Sequence, residues 1–388
     1  MATVREIVNL QLLFGQLGKP GAGLCPVRGH SNVQGNRTMV IDEKPSAALL
    51  DSLAAHFAFT PPRGAGHNTV QAIEAMLRDE VKVLITLGGN LAAAAPDTPR
   101  TEAALQRCAL TVHISTKLNR SHLVPGHDAL ILPTLGRTDR DTQASGDQYI
   151  TVEDSFNMVH ASQGVNPPIS DQLRSETAII AGIAAAVLGE DKLNWRALAG
   201  NYDLIRDHIA VTHPGFTDFN RRCDAPGGFY LGNAAAELRF TTPTGKAQFC
   251  AAALPASLMP QLAGEHAPFT LQTLRSHDQY NTTIYGLDDR YRGVYGQREV
   301  VFIHPQDLAE LGLKEGDRVD IETLWHDGVH RKVTGFKVVS YAIPRGNLAA
   351  YYPETNPWVP LSSFGDGTFT PTSKSVPVKL TPVTQRIL

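Results

Sequence analysis

Cysteine is scarce in this chain. Only four occur among 388 residues, Cys25, Cys108, Cys223 and Cys250, and no two form a C-x-x-C pair. That scatter excludes a zinc or iron–sulfur site built from local cysteine spacing alone, and a reduced, cytoplasmic protein is expected. Long apolar runs are missing too; nothing approaches the ~18 residues that a membrane-spanning helix needs, so no membrane insertion is expected. A basic excess is absent: Lys plus Arg number 35 against 38 for Asp plus Glu, a formal net charge of -3. This balance argues against nucleic acid as a partner. None of the fourteen histidines falls in H-E-x-x-H or another metal spacing, so no metal ligand is assigned.

What is present is apolar content of 42 %, ample for a core, and a length that calls for two or three compact units. Residues 4–17 carry apolar positions at helical spacing and stop at a run of glycine and proline. "NTVQAIEAMLRDE" reads as a helix with Asn68 as N-cap, and "VKVLITLGGN" as a strand ending in a glycine turn. "TPRTEAALQRC" is a second helix, and "ALTVHIST" and "HDALILPT" are further strands. Such alternation with short connections predicts an α/β fold, a partial parallel sheet covered by helices, over residues 1–160. Residues 161–265 read as a helical and irregular connecting region, with helices in "SETAIIAGIAAAVLG" and "NWRALAGNYDLIRDHIA". From 266 to 388 short β runs punctuated by turns predict a compact barrel.

Four polar clusters stand out. "CPVRGHSNVQG", residues 25–35, packs Arg28, Gly29, His30, Ser31 and Asn32 into a stretch too polar for a core strand, while Pro26 and the glycines argue against a helix. The turn at Gly88, Gly89 and Asn90, with Asp97 beyond it, sits where open α/β sheets bind ligands. It is neither G-x-G-x-x-G nor a Walker loop, and a plain turn after a strand is the competing reading. Thr116, Lys117, Asn119, Arg120, Ser121 and His122 follow the next strand and should share the same sheet edge. "LRSHDQYNTTIYGLDDRYRG" interleaves Arg275, His277, Asn281 and Tyr285 with further arginines and tyrosines, a combination that stacks on rings and pairs with phosphates. Tyr351, Asn356 and Lys374 add to it near the C-terminus. His113, on an apolar strand, reads as a satisfied core residue, and Cys25 as a small buried filler.

In register, "LFGQLGKPGAGLCPVRGHSNVQG", "SHDQYNTTIYGLDDRYRG" and "YYPETN…SKSVPV" make the chain resemble the C-terminal half of a molybdopterin oxidoreductase. The family is that of dimethyl sulfoxide reductase, formate dehydrogenase alpha-subunit-like branch, and the resemblance covers essentially the whole chain. It implies a C-terminal double-psi β-barrel and a bis-molybdopterin guanine dinucleotide cofactor carrying molybdenum. It places the polar loop at the molybdenum centre, with Arg28 on a small anionic, formate-like substrate and Gly29 and Gly35 turning the backbone sharply. His30 stands where formate dehydrogenases carry an amide. The cofactor contacts it implies are Gly29, Asn32, Gly89, Asn90, Asp97, Thr116, Asn119, Arg275, His277, Asn281, Tyr285, Asn356 and Lys374.

The family's preceding region, which supplies the molybdenum ligand and often a 4Fe-4S cluster, is not in this sequence. A truncated subunit, a split gene product or a partial gene model is therefore expected, inactive by itself. Its partners would be the missing N-terminal half or an electron-transfer subunit. Two other functions remain open: a non-catalytic pterin-binding or assembly module, and an α/β enzyme that uses an ordinary nucleotide at Gly88-Gly89-Asn90.

Overall fold

A computed structural model describes residues 1–254 and 269–383. The expected boundary between 265 and 266 lies outside these residues. Helix α1 (Ala2–Leu13) is followed by the polar stretch, which is irregular as far as Asn32. The stretch then enters a short helix, α2 (Val33–Thr38), against the expectation that its composition bars helix. Asn32 makes this entry in the left-handed region, at φ 62°. Helix α3 (Ala47–Phe57) is capped by Ser46, and α4 (Thr69–Leu77) by Asn68 in a reciprocal capping box with Gln71.

Strand β1 (Val83–Leu87), helices α5 (Leu91–Ala94) and α6 (Thr98–Arg107), and strands β2 (Leu110–Ser115) and β3 (Asp128–Pro133) follow in alternation. The strands form a parallel sheet in the order β1-β2-β3. Val70, Ile73 and Met76 of α4 and Ala104 of α6 pack with Leu84 of β1 over one sheet face. That is the expected α/β unit, reached because each helix presents its apolar stripe to the sheet.

Beyond it, β4 (Ile150–Glu153) and β5 (Met158–Ser162) form an antiparallel hairpin that the sequence pattern did not announce. Helix α7 (Glu176–Leu188) follows as expected. The next helical run is broken in two, α8 (Trp195–Gly200) and α9 (Tyr202–Thr212). Asn201 makes the break, because its extended backbone leaves its side chain to accept the Asp203 N–H. The Tyr202 N–H meanwhile donates to Gln148, 54 positions away in sequence.

The last unit is a closed six-stranded barrel. Its strands are β6 (Phe269–Leu274), β7 (Val300–Ile303), β8 (Arg318–Thr323), β9 (Lys332–Ser340), β10 (Asn347–Tyr351) and β11 (Val376–Pro382). Their order is β7-β9-β8-β11-β6-β10, closing on β7, with β7/β9 and β6/β10 parallel and the other pairs antiparallel. Leu271, Val301, Ile303, Val319, Ile321 and Phe336 fill the interior around Trp358. The Trp358 indole N–H donates to the Ile321 carbonyl at 2.9 Å, so its one polar atom is satisfied in the core. Trp358→Ala is expected to lower stability by about 3–5 kcal/mol through cavity formation. Urea melts followed by circular dichroism would measure the loss.

Candidate functional site

Both strand-end loops lie together, and hydrogen bonds rather than proximity alone make the join. Gly88 and Gly89 adopt φ 68° and 74°, a conformation that an L side chain resists, and nothing lies within 4 Å of a built Cβ at either. Asn119 donates its side-chain N–H to the Gly89 carbonyl at 2.8 Å. Ser121 donates to Asn90 Oδ1 at 3.3 Å and accepts the Ala92 N–H at 3.1 Å. Thr116 is exposed on the same edge. Behind this edge His113 is buried as expected, but only half satisfied. Its Nδ1 meets Thr86 Oγ1 at 3.0 Å, while its Nε2 has no partner among the described residues. Burial, and then the neighbouring His122, push its imidazole down, so it stays neutral.

Two residues expected to face a ligand are taken up by the protein itself. Asp97 is 1 % exposed, and its Oδ2 accepts from Arg331 Nε at 3.0 Å and Nη2 at 2.7 Å. Arg331, itself 4 % exposed, also pairs with Asp327 at 2.7 Å, and so ties the α6 N-terminus to the barrel. Burial pushes the Asp97 carboxyl up. Asp327 is held down to about 2 because bonds from Arg331, Ser362 and the Val329 N–H outweigh its burial. Asn356 is equally committed. Its side-chain amide donates to the Ala93 carbonyl at 2.5 Å, and its backbone carbonyl accepts the Asp97 N–H at 2.9 Å. Sequence spacing could not show this, because the partners are more than 230 residues apart.

Beside that junction lies a group of opposite character. Tyr352 reaches the Ala94 carbonyl at 3.3 Å and Asn281 at 3.4 Å, with the Arg275 guanidinium 4.6 Å above its ring. Lys374 donates to the Thr273 carbonyl and, at 3.3 Å, to its hydroxyl. Partial burial first, and Arg275 second, push the Lys374 ammonium down. Arg275 and Lys374 are both exposed, and neither forms an ion pair among the described residues. Two uncompensated cations, one of them over an aromatic ring, make a seat for a polyanion that carries a ring. Of the other residues expected here, Tyr285 is 76 % exposed without a hydrogen bond among the described residues. The His277 ring lies tilted against Tyr291, centroids 4.1 Å apart, and its Nε2 is 3.3 Å from Asp278. Neither joins the cluster.

The polar loop is anchored at three successive residues. His30 Nδ1 lies 3.1 Å from Tyr280 Oη, Ser31 accepts from Arg137 at 2.7 Å, and Asn32 Oδ1 accepts the Glu153 N–H at 3.0 Å. Arg298, a residue that sequence reading missed, lies buried nearby, paired with Glu354 and bonded to Ser276 and to Gln279, the residue before Tyr280. Arg28 is exposed, and its side-chain hydrogen bond among the described residues is a donation to the Gln34 side-chain oxygen at 2.8 Å. Cys25 is exposed, not buried. The glycines play other parts than expected. Gly29 has an ordinary φ with open space around it. Gly35 sits in α2 where a Cβ would meet Asn32 Oδ1 at 2.0 Å, so it is required by close approach, and Asn32 makes the turn. Asn32 and Thr116 also come together, with Ser31, Arg137, Glu176 and Tyr202, around a polar cavity of about 420 Å³. Burial pushes the Glu176 carboxyl up there, against the pull of Arg137.

Residues 269–382 match the molydopterin dinucleotide binding domain. An uncharacterized oxidoreductase of Mycobacterium tuberculosis is 54 % identical over 388 residues, 98 % of this chain and 49 % of that protein. An F420-dependent formate dehydrogenase 1 subunit alpha of Methanococcus maripaludis is 24 % identical over 349 residues, 82 % of this chain and 47 % of that one. The solved structure of acetylene hydratase from Pelobacter acetylenicus shares the fold, with a TM-score of 0.52, 16 % identity, and coverage of 90 % of this chain and 50 % of that chain. The chain spans about half the length of the curated relatives it matches.

Breaking the buried Arg331 junction strips Asp327 of its cation and leaves Asp97 only the longer contact with Arg100 at 3.6 Å. Arg331→Met should therefore cost about 3–5 kcal/mol in thermal or urea melts. In acid, the contribution of Asp327 is complete above its ordinary value of 3.8 and is lost as pH falls through its native value of about 2. The raised Asp97 acts in the opposite sense, since protonation relieves its burial. Melts from pH 5 down to about pH 2 should show a decline that flattens in Asp327→Asn.

Proposed function

We propose, from the premise that this chain belongs to the molybdopterin oxidoreductase family, that it is the cofactor-holding part of a molybdenum oxidoreductase of formate dehydrogenase type. The observation that carries this reading is the uncompensated pair Arg275 and Lys374, set where barrel and strand-end loops meet. Those residues fit the pyrophosphate of a molybdopterin guanine dinucleotide, and the Tyr352 ring and Gly88-Gly89 turn fit its approach. When bound, that cofactor supplies a centre able to take two electrons from the substrate. The mixed parallel and antiparallel barrel pairings support reading it as the double-psi type.

Arg28 is the group for a carboxylate substrate. Its guanidinium is open to solvent and held by one amide, so it can turn its planar fork onto formate. His30, fixed by Tyr280, orients the loop beside it. Four unpaired, scattered thiols fit a reducing cytoplasmic setting and leave any iron–sulfur cluster to polypeptide outside this chain. The partner in this reading is the polypeptide that makes up the rest of the relatives' length, or an electron-transfer subunit.

In the complete enzyme, the double variant Arg275→Ala, Lys374→Met should lose most bound pterin, since each charge-assisted bond is worth about 1.5–3 kcal/mol. Pterin fluorescence and the nucleotide released on denaturation would report it. Adenine nucleotide in place of guanine would favour an ordinary nucleotide enzyme. Arg28→Lys keeps the charge but loses the fork, and should weaken formate use by about 1–3 kcal/mol with pterin content unchanged. Formate-dependent dye reduction per bound molybdenum measures this. Retained pterin with no such reduction in the unsubstituted protein would point to a non-catalytic pterin-binding module.

A further inference from the structure

Helices α3, α8 and α9 leave a space between them. Helix α3 meets α9 through polar contacts: Ser52 Oγ donates to the Thr212 carbonyl at 3.0 Å, and His56 Nε2 lies 2.7 Å from His208 Nδ1. The chain leaves α7 at Gly189, whose φ of 73° turns it sharply, and residues 188–195 come back toward the same helices. A cavity of about 740 Å³ results, larger than the polar cavity beside Asn32. Phe57, Phe59, Leu193, Ile205 and Ile209 make much of its wall. Sites for small molecules have this character, at about 300–1,000 Å³ with apolar walls and a few polar groups.

The polar groups of the lining divide into spent and free. Thr212 donates its hydroxyl to the His208 carbonyl at 2.8 Å and meets His213 Nδ1 at 2.9 Å, while His213 Nε2 is closed off from solvent. Lys192 is exposed and forms neither a hydrogen bond nor an ion pair among the described residues. The Trp195 indole N–H and His208 Nε2 also have no hydrogen-bond partner among them. Burial first, and His56 second, push the His208 imidazole down against the pull of Asp207. No acidic side chain lines the cavity among the described residues.

We propose that this cavity binds a hydrophobic monocarboxylate, its hydrocarbon body between the aromatic and aliphatic walls and its carboxylate at Lys192 and His208. A carboxylate only accepts hydrogen bonds, and so matches Lys192 and Trp195, which only donate. It also selects the tautomer in which His208 Nε2 carries the proton and Nδ1 accepts from His56. His56, on α3, is thereby a positioning residue. A neutral alcohol would leave the Lys192 ammonium without a counter-charge, and a cationic ligand would be repelled. The cavity shares no lining residue with Arg28, Arg275 or Lys374, and the inference does not depend on the cofactor reading.

Calorimetric titration of the full chain with decanoate tests this, with decanol as the uncharged counterpart. Saturation at one decanoate per chain is expected, at least about tenfold tighter than decanol, the scale of a charge-assisted bond. Lys192→Met, which keeps the stem, should weaken decanoate at least about tenfold, and Lys192→Arg should retain it. His56→Phe should weaken decanoate while leaving decanol unchanged. Leu198→Trp, which fills the cavity, should abolish binding of both, with circular dichroism showing that each variant keeps its fold. Absence of saturation, equal affinity for decanoate and decanol, or unchanged affinity in Lys192→Met would each overturn the proposal. So would exclusion of decanoate when the chain self-associates or joins the polypeptide that completes the relatives' length, because protein would then be the occupant.

Discussion

Arg331 is the residue on which the placement of everything else depends. Its guanidinium is almost completely removed from water between Asp97, at the start of α6, and Asp327, in the barrel. Desolvating three charges is costly, and only close, well-directed bonds offset it. The short Nε and Nη2 contacts to one Asp97 oxygen, with Asp327 on the other side, meet that condition. Because a guanidinium cannot give up its proton, the only way to keep the group satisfied is to keep barrel and sheet in this relation. Tyr352 and Asn356 can then reach the carbonyls of Ala94 and Ala93.

The same junction separates charges by role. At Arg331 one guanidinium meets two carboxylates, and Asp97 also has Arg100 at 3.6 Å, so these charges are engaged within the protein. Elsewhere in the fold, the hydrogen bonds of Arg275 and Lys374 among the described residues go to neutral partners, and Arg275 disfavours the charge on Lys374. Uncompensated like charges are tolerable at a surface, where water screens them, and become favourable when an anion arrives. The polar loop is joined to this region by the His30–Tyr280 contact, and Gln279, the residue before Tyr280, accepts from the buried Arg298.

Much of the fold was legible because its causes are local. The capping box of Asn68 and Gln71, the glycine turn after β1, and the six barrel strands all follow from residues near in sequence. The departures have distant causes. One continuous helical run becomes α8 and α9 because Asn201 leaves the helical region where Gln148 captures the next N–H. The polar loop ends in helix α2 because Asn32 takes the left-handed conformation and its side chain is held by Glu153, 121 positions away. Gly35 is required there because the Asn32 side chain occupies the space of a Cβ.

The sequence by itself determined which residue types gather into polar clusters, where helices and strands alternate, and which family the chain resembles. Those properties are carried by spacing and composition, which need no partner to be read. Tertiary structure alone decided which of those polar groups remain free. Asp97 and Asn356 look as available in the sequence as Arg275 and Lys374, yet the first two are consumed by contacts across more than 230 residues. A hydrogen bond saturates its donor and acceptor, so a group's capacity to bind a ligand is settled only when the chain has folded and its nearest partners are known.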